Sequence, residues 1–72
     1  MIGSNKRYRL CVRHNEYIPK PGIVFHSSDK LSDLSEDVRY IVHVAKPVSW
    51  VVVDSVKGVE VDHDTVMRCC NI

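Results

Sequence analysis

Three prolines decide where regular structure in this chain has to break. Proline fixes its own φ, offers no backbone N–H and biases the residue before it away from helix. Pro19 and Pro21, with Lys20 between them and Gly22 after, forbid both a helix and a central strand across "NEYIPKPG". That segment is expected to be an extended, solvated connection. Pro47 stops any helix that approaches it. The chain is thus cut into an N-terminal stretch, a middle stretch ending at Lys46 and a C-terminal stretch from Val48.

In the first stretch, "KRYRLCVRH" alternates. Tyr8, Leu10 and Val12 lie on one face; Arg7, Arg9, Cys11 and Arg13 lie on the other. A half-buried strand over 6–13 is expected, with a second short strand in "GIVFHS" near 22–26. The middle stretch carries two patterns. "VRYIVHVA" has the composition of a strand, yet Leu31, Leu34, Val38, Ile41, Val42 and Ala45 recur at helical spacing, opposite a polar stripe of Ser32, Glu36, Arg39, His43 and Lys46. The spacing favours a helix near 29–45 over a helical turn followed by a strand. Ser27 or Ser28 would cap it, and Asp29 and Asp33 suit its positive end.

The last stretch reads as a hairpin, with strands near 49–55 and 59–63 and a further short strand or tail at 65–69. Gly58 is expected at positive φ, closing a three-residue loop Val56–Lys57–Gly58. That register places Val51, Val53, Val59 and Val61 on the buried face, and Val52, Asp54, Glu60 and Asp62 on the other, with Trp50. The acidic stretch "DSVKGVEVDHD" is then a turn rather than a site, since Asp62 and Asp64 point away from His63 in an extended chain.

The expected fold class is α+β. It is a small two-layer sandwich of order β-β-α-β-β, an antiparallel four- to five-stranded sheet with one helix on one face. Its 72 residues make one domain, frayed at 1–5 and 71–72, and a core rich in valine favours strands over a helical bundle.

Several function classes find no support in the residues. The longest run of large apolar residues, Trp50 to Val53, is too short to span a membrane, and "MIGSNKRYR" lacks the apolar stretch of a secretory signal, so a cytoplasmic chain is expected. The cysteines number three, Cys11, Cys69 and Cys70, which suits reduced thiols better than a disulfide framework. Cys11 and His14 stand at C-x-x-H spacing but on opposite faces of a strand, and adjacent Cys69 and Cys70 chelate poorly, so no metal site is expected. Cysteine with His63 is the only nucleophile–base pairing conceivable, and no signature marks it; no catalytic residue and no cofactor is assigned. Isolated His14, His26 and His43 read as solvated.

What remains is surface. Arg7, Arg9 and Arg13 share one face of the first strand, and the hairpin register adds Trp50 and Val52 to it. Arginine, tryptophan and an exposed valine together have the composition of a protein interface. The function expected is a non-enzymatic protein-binding module, with self-association through the open sheet face as one form of it. The alternative is a nucleic-acid binder tracking phosphates with the arginines, although the net charge is only +1 and Asp54, Glu60 and Asp62 are placed to pair with them. In general type (very small, one domain, mixed charge, no catalytic signature) the chain is similar to phage or mobile-element proteins that inhibit a host protein by binding it. That similarity is of type, and no residue motif carries it.

Overall fold

The computed structural model describes residues 6–71. The fraying expected of residues 1–5 and 72 lies outside the described residues. Strands β1 (Tyr8–Arg13), β2 (Ile23–Ser28), β3 (Ser49–Asp54) and β4 (Val59–Val61) form an antiparallel four-stranded sheet in the order β2-β1-β3-β4. Helices α1 (Ser35–Tyr40) and α2 (His63–Cys69) pack on one side of it. The architecture is the α+β sandwich that the alternating and helical stretches predict.

Helix α1 is the middle of a longer helical run. A tight 3-10 turn, Leu31–Leu34, leads into it, and a wide π-turn, Ile41–Ala45, leaves it. The Lys46 N–H donates to the Ile41 carbonyl five residues back, and Lys46 takes a left-handed φ of 46° immediately before Pro47. The run therefore ends where proline requires. Its apolar stripe is the one that spacing selects. Leu34, Val38 and Ile41 are fully buried against Leu10, Val12 and Val52, with Leu31 and Val42 beside them. Ala45, in the same stripe by spacing, is exposed on the π-turn. Ser27 and Ser28 belong to β2 rather than to the cap, although the Ser28 hydroxyl reaches forward to Asp33 and accepts from the Lys30 N–H.

The C-terminal stretch differs from its expected form in three linked ways. The hairpin loop has four residues, Ser55–Gly58, and the pairs are Val52↔Val61, Val53↔Glu60 and Asp54↔Val59. Three successive valines present an apolar side chain to either face, so burial alone does not select a register. Turn chemistry does. The Asp54 carboxylate accepts the Val56 and Lys57 N–H groups, the Asp54 carbonyl accepts from Gly58, and Gly58 supplies the positive φ of 71° that was expected of it.

Secondly, Trp50 and Val52 lie on the helix side. Val12↔Trp50 and Leu10↔Val52 are direct cross-strand pairs, and Val52 has no exposed surface. Thirdly, residues 63–69 form a helix rather than a fifth strand. Asp62 caps it, accepting from both the Thr65 N–H and the Thr65 hydroxyl, and this sends Val66 and Cys70 into the core. A second helix thus joins the one expected.

The connection 14–22 is not simply solvated. The Asn15 side chain accepts from the Tyr17 and Ile18 N–H groups, and Gly22, at φ 116°, passes so close to the Val12 carbonyl that any side chain there would collide with it.

Candidate interaction surfaces

The residues expected to form one outward surface are dispersed. Arg7 donates from Nε and Nη2 to the two oxygens of Asp54, a buried carboxylate. Its guanidinium also lies over the Tyr8 ring. Arg13 holds the connecting segment, donating to the carbonyls of Ile18 and Glu16 and to the Ser49 hydroxyl. Arg9 alone has no side-chain partner among the described residues, and it stands on the helix-free face. With Trp50 and Val52 on the opposite side from Arg9, the five residues do not form one surface; of the three arginines, only Arg13 borders the same cleft as Trp50. Of the acidic residues expected to pair across strands, Asp54 does so with Arg7, Asp62 is used as a helix cap, and Glu60 stands opposite Val53.

A different surface is assembled at the edge of the sheet. Strand β2 has an irregularity where Leu10 pairs with His26 and Cys11 with Val24, so Phe25 is the extra residue. Phe25 stacks on Tyr40 of α1, with ring centroids 6.4 Å apart and planes 19° from parallel. Both rings are exposed, as are Ile23 on the same strand and Val44 one turn beyond Tyr40. Glu36, Arg39, His43 and Val44 line a shallow groove with Tyr40. The His26 ring contacts the Asp37 carboxylate and fastens β2 to α1 next to Phe25 in the chain. His26 is therefore engaged rather than merely solvated. The sequence did carry a signal for this surface. Tyr40 and Val44 are four apart in the helical run and fall in neither its apolar nor its polar stripe.

A cleft of about 180 Å³ opens where β4 ends and the first residues of β3 have no strand on that side. Trp50 forms part of its wall, its ring stacked on His63 at 3.9 Å and 5°, with His63 Nε2 bonded to the Trp50 carbonyl. Arg13, Lys20, Ser49 and Glu60 also border it.

The thiols lie apart from both surfaces. Cys11, although on the arginine face of β1, is buried, and its desolvation raises the thiol above its ordinary pKa against an opposing effect of Arg9. Cys70 is buried in the core and raised by the same cause, with Cys69 adding to it; Cys69 itself is exposed. No group of three or more metal-ligating side chains converges among the described residues. No helix of the described residues is long and apolar enough to cross a membrane. Fold and surfaces define a small α+β domain with an exposed aromatic edge. Compared with protein-family models, curated proteins and solved structures, the chain matches none.

Proposed function

We propose that this chain is a non-enzymatic protein-binding module that docks its partner on the Phe25–Tyr40 edge. The observation that carries this reading is the exposed aromatic stack, with Ile23 and Val44 beside it and a groove whose rim holds both Glu36 and Arg39. Large apolar side chains grouped within a polar rim are the anatomy of an interface centre, and a paired Phe and Tyr offers contact area at low entropic cost. A binder of this kind inhibits whatever protein surface it covers. Nucleic-acid binding by the arginine strand draws less support, because Arg7 and Arg13 are already engaged inside the domain.

The test compares wild type with Tyr40→Ala and Phe25→Ala as baits in cytosolic extract, with the captured proteins identified and then measured singly. Both rings are half-exposed, so each variant should fold, and each should weaken a true partner by about 2 kcal/mol or more. A partner bound equally by all three overturns this reading. Binding of nucleic acid that falls steeply with salt and survives both substitutions would favour the arginine alternative.

A further inference from the structure

The cleft at the end of β4 carries an inference independent of the aromatic edge. It collects opposite charges that do not satisfy one another. Lys20 and Glu60 both border it, and neither has a side-chain partner among the described residues. Arg13, at the same cleft, is held rigidly by three hydrogen bonds, from Nε to Ile18, from Nη1 to Ser49 and from Nη2 to Glu16. A guanidinium has five N–H groups, so two stay free in a fixed geometry. The Ser49 hydroxyl accepts from Arg13 and keeps its own proton to donate. His63 donates from Nε2 to the Trp50 carbonyl and stacks on the Trp50 ring, which fixes this part of the wall.

We propose that this cleft binds a small zwitterion, an α-amino acid. Its carboxylate lies against Arg13, Lys20 and Ser49, and its ammonium against Glu60. The lining holds both kinds of group such a ligand needs, cationic and hydroxyl donors in Arg13, Lys20 and Ser49 and a carboxylate acceptor in Glu60. A simple anion would leave Glu60 opposing it, and a simple cation would meet two positive side chains. The volume of about 180 Å³ holds several waters. It therefore admits a molecule of roughly six to eight non-hydrogen atoms, alanine to valine in size. So few atoms on a partly open wall imply a dissociation constant on the order of 1 mM.

Trp50 is the only tryptophan in the chain and part of the wall, so its emission reports occupancy directly. The probes are L-alanine, L-valine, N-acetyl-L-alanine, L-alanine methyl ester and the tripeptide of alanine, each titrated while Trp50 emission and the His63 ring proton shifts are followed. Saturable change with the free amino acids is expected, and weaker binding when either end is blocked. Lys20→Gln and Glu60→Gln, both at exposed positions, should each weaken L-alanine about threefold to fivefold. Glu60→Gln should also abolish the preference for the free over the acetylated amine. Equal binding of the acetylated or esterified compound by wild type overturns the zwitterion assignment. Binding of the tripeptide as tight as that of alanine overturns it too, in favour of a chain terminus. No saturable change in either readout up to tens of millimolar overturns the site itself. None of these outcomes bears on Tyr40 or Phe25.

Discussion

Arg7 and Asp54 are 47 residues apart in sequence and meet through two side-by-side hydrogen bonds, Nε to Oδ1 at 3.2 Å and Nη2 to Oδ2 at 3.0 Å. The same carboxylate holds the turn through Val56 and Lys57, so one buried acid ties the first strand to the last hairpin. The arginine hydrogen bond is the largest influence holding its pKa below the ordinary carboxylate value, against the opposing effect of burial. The sign follows directly. The folded state binds this proton less readily than the unfolded state, so the stabilisation is complete above the unfolded value of about 3.9 and is lost as pH falls through the lowered folded one. Asp54→Asn should therefore lower the unfolding midpoint at pH 7 and flatten its decline below about pH 4. Midpoints in urea from pH 2 to 7 for both proteins check this; parallel acid limbs would refute it.

Gly58 stands at φ 71° with open space where a side chain would go. Only backbone strain opposes substitution there. Gly58→Val should cost on the order of 1–2 kcal/mol, and Gly58→Asn distinctly less, because asparagine tolerates the left-handed region. Chemical denaturation of the pair measures the difference, and equal midpoints would count against the turn geometry.

Much of the fold could be read from residues whose physics is local. The alternation of Tyr8, Leu10 and Val12, the stripe from Leu31 to Val42, the stop at Pro47 and the positive φ of Gly58 each follow from a short-range rule, and each stands in the structure. What could not be read depends on distant pairing. Val51, Val52 and Val53 fit either face, and the choice between them is made by the pairing of β3 with β1, in which Asp54 stands opposite Tyr8. Once that register puts Asp54 on the helix side, Val52 and Trp50 follow by alternation. The tail failed for a nearer reason. "DHDTVMRC" holds an Asp–Thr cap, but its β-branched residues suggest a strand, and burial of Val66 in the core decides for helix. Of the aromatic edge only the Tyr40–Val44 spacing could be read; the irregularity in β2 that brings Phe25 to Tyr40 has no pattern of its own in the sequence.

The thiols should divide by burial. Cys69 is exposed, whereas burial of Cys11 and Cys70 raises both thiols and keeps reagent out. At pH 8 a disulfide reagent should consume one thiol per chain quickly, and the other two only at the rate of unfolding. All three should react together in concentrated guanidinium. Mass mapping of the fast product should locate it at Cys69; rapid labelling of Cys11 would contradict its place in the sheet.

Trp50 carries the last prediction, because its position decides what a mutant there would report. On an outward face, Trp50→Ala would spare stability. In this structure the ring packs beside the core, pairs with Val12 across the sheet and stacks on His63 at the start of α2. Cutting it to alanine removes apolar contact from the first strand and the brace on the second helix together. The expected cost is about 2–3 kcal/mol, below a fully buried tryptophan because part of the ring faces the cleft. Arg9→Ala, on the helix-free face without a side-chain partner, should shift the midpoint by less than about 0.5 kcal/mol. His63→Ala should fall between them, since it removes the stack and the bond to the Trp50 carbonyl but leaves the ring on the core. Denaturant titrations of the three variants give the order directly. A Trp50→Ala protein as stable as wild type would return the ring to the outer face and undo the assigned register of β3.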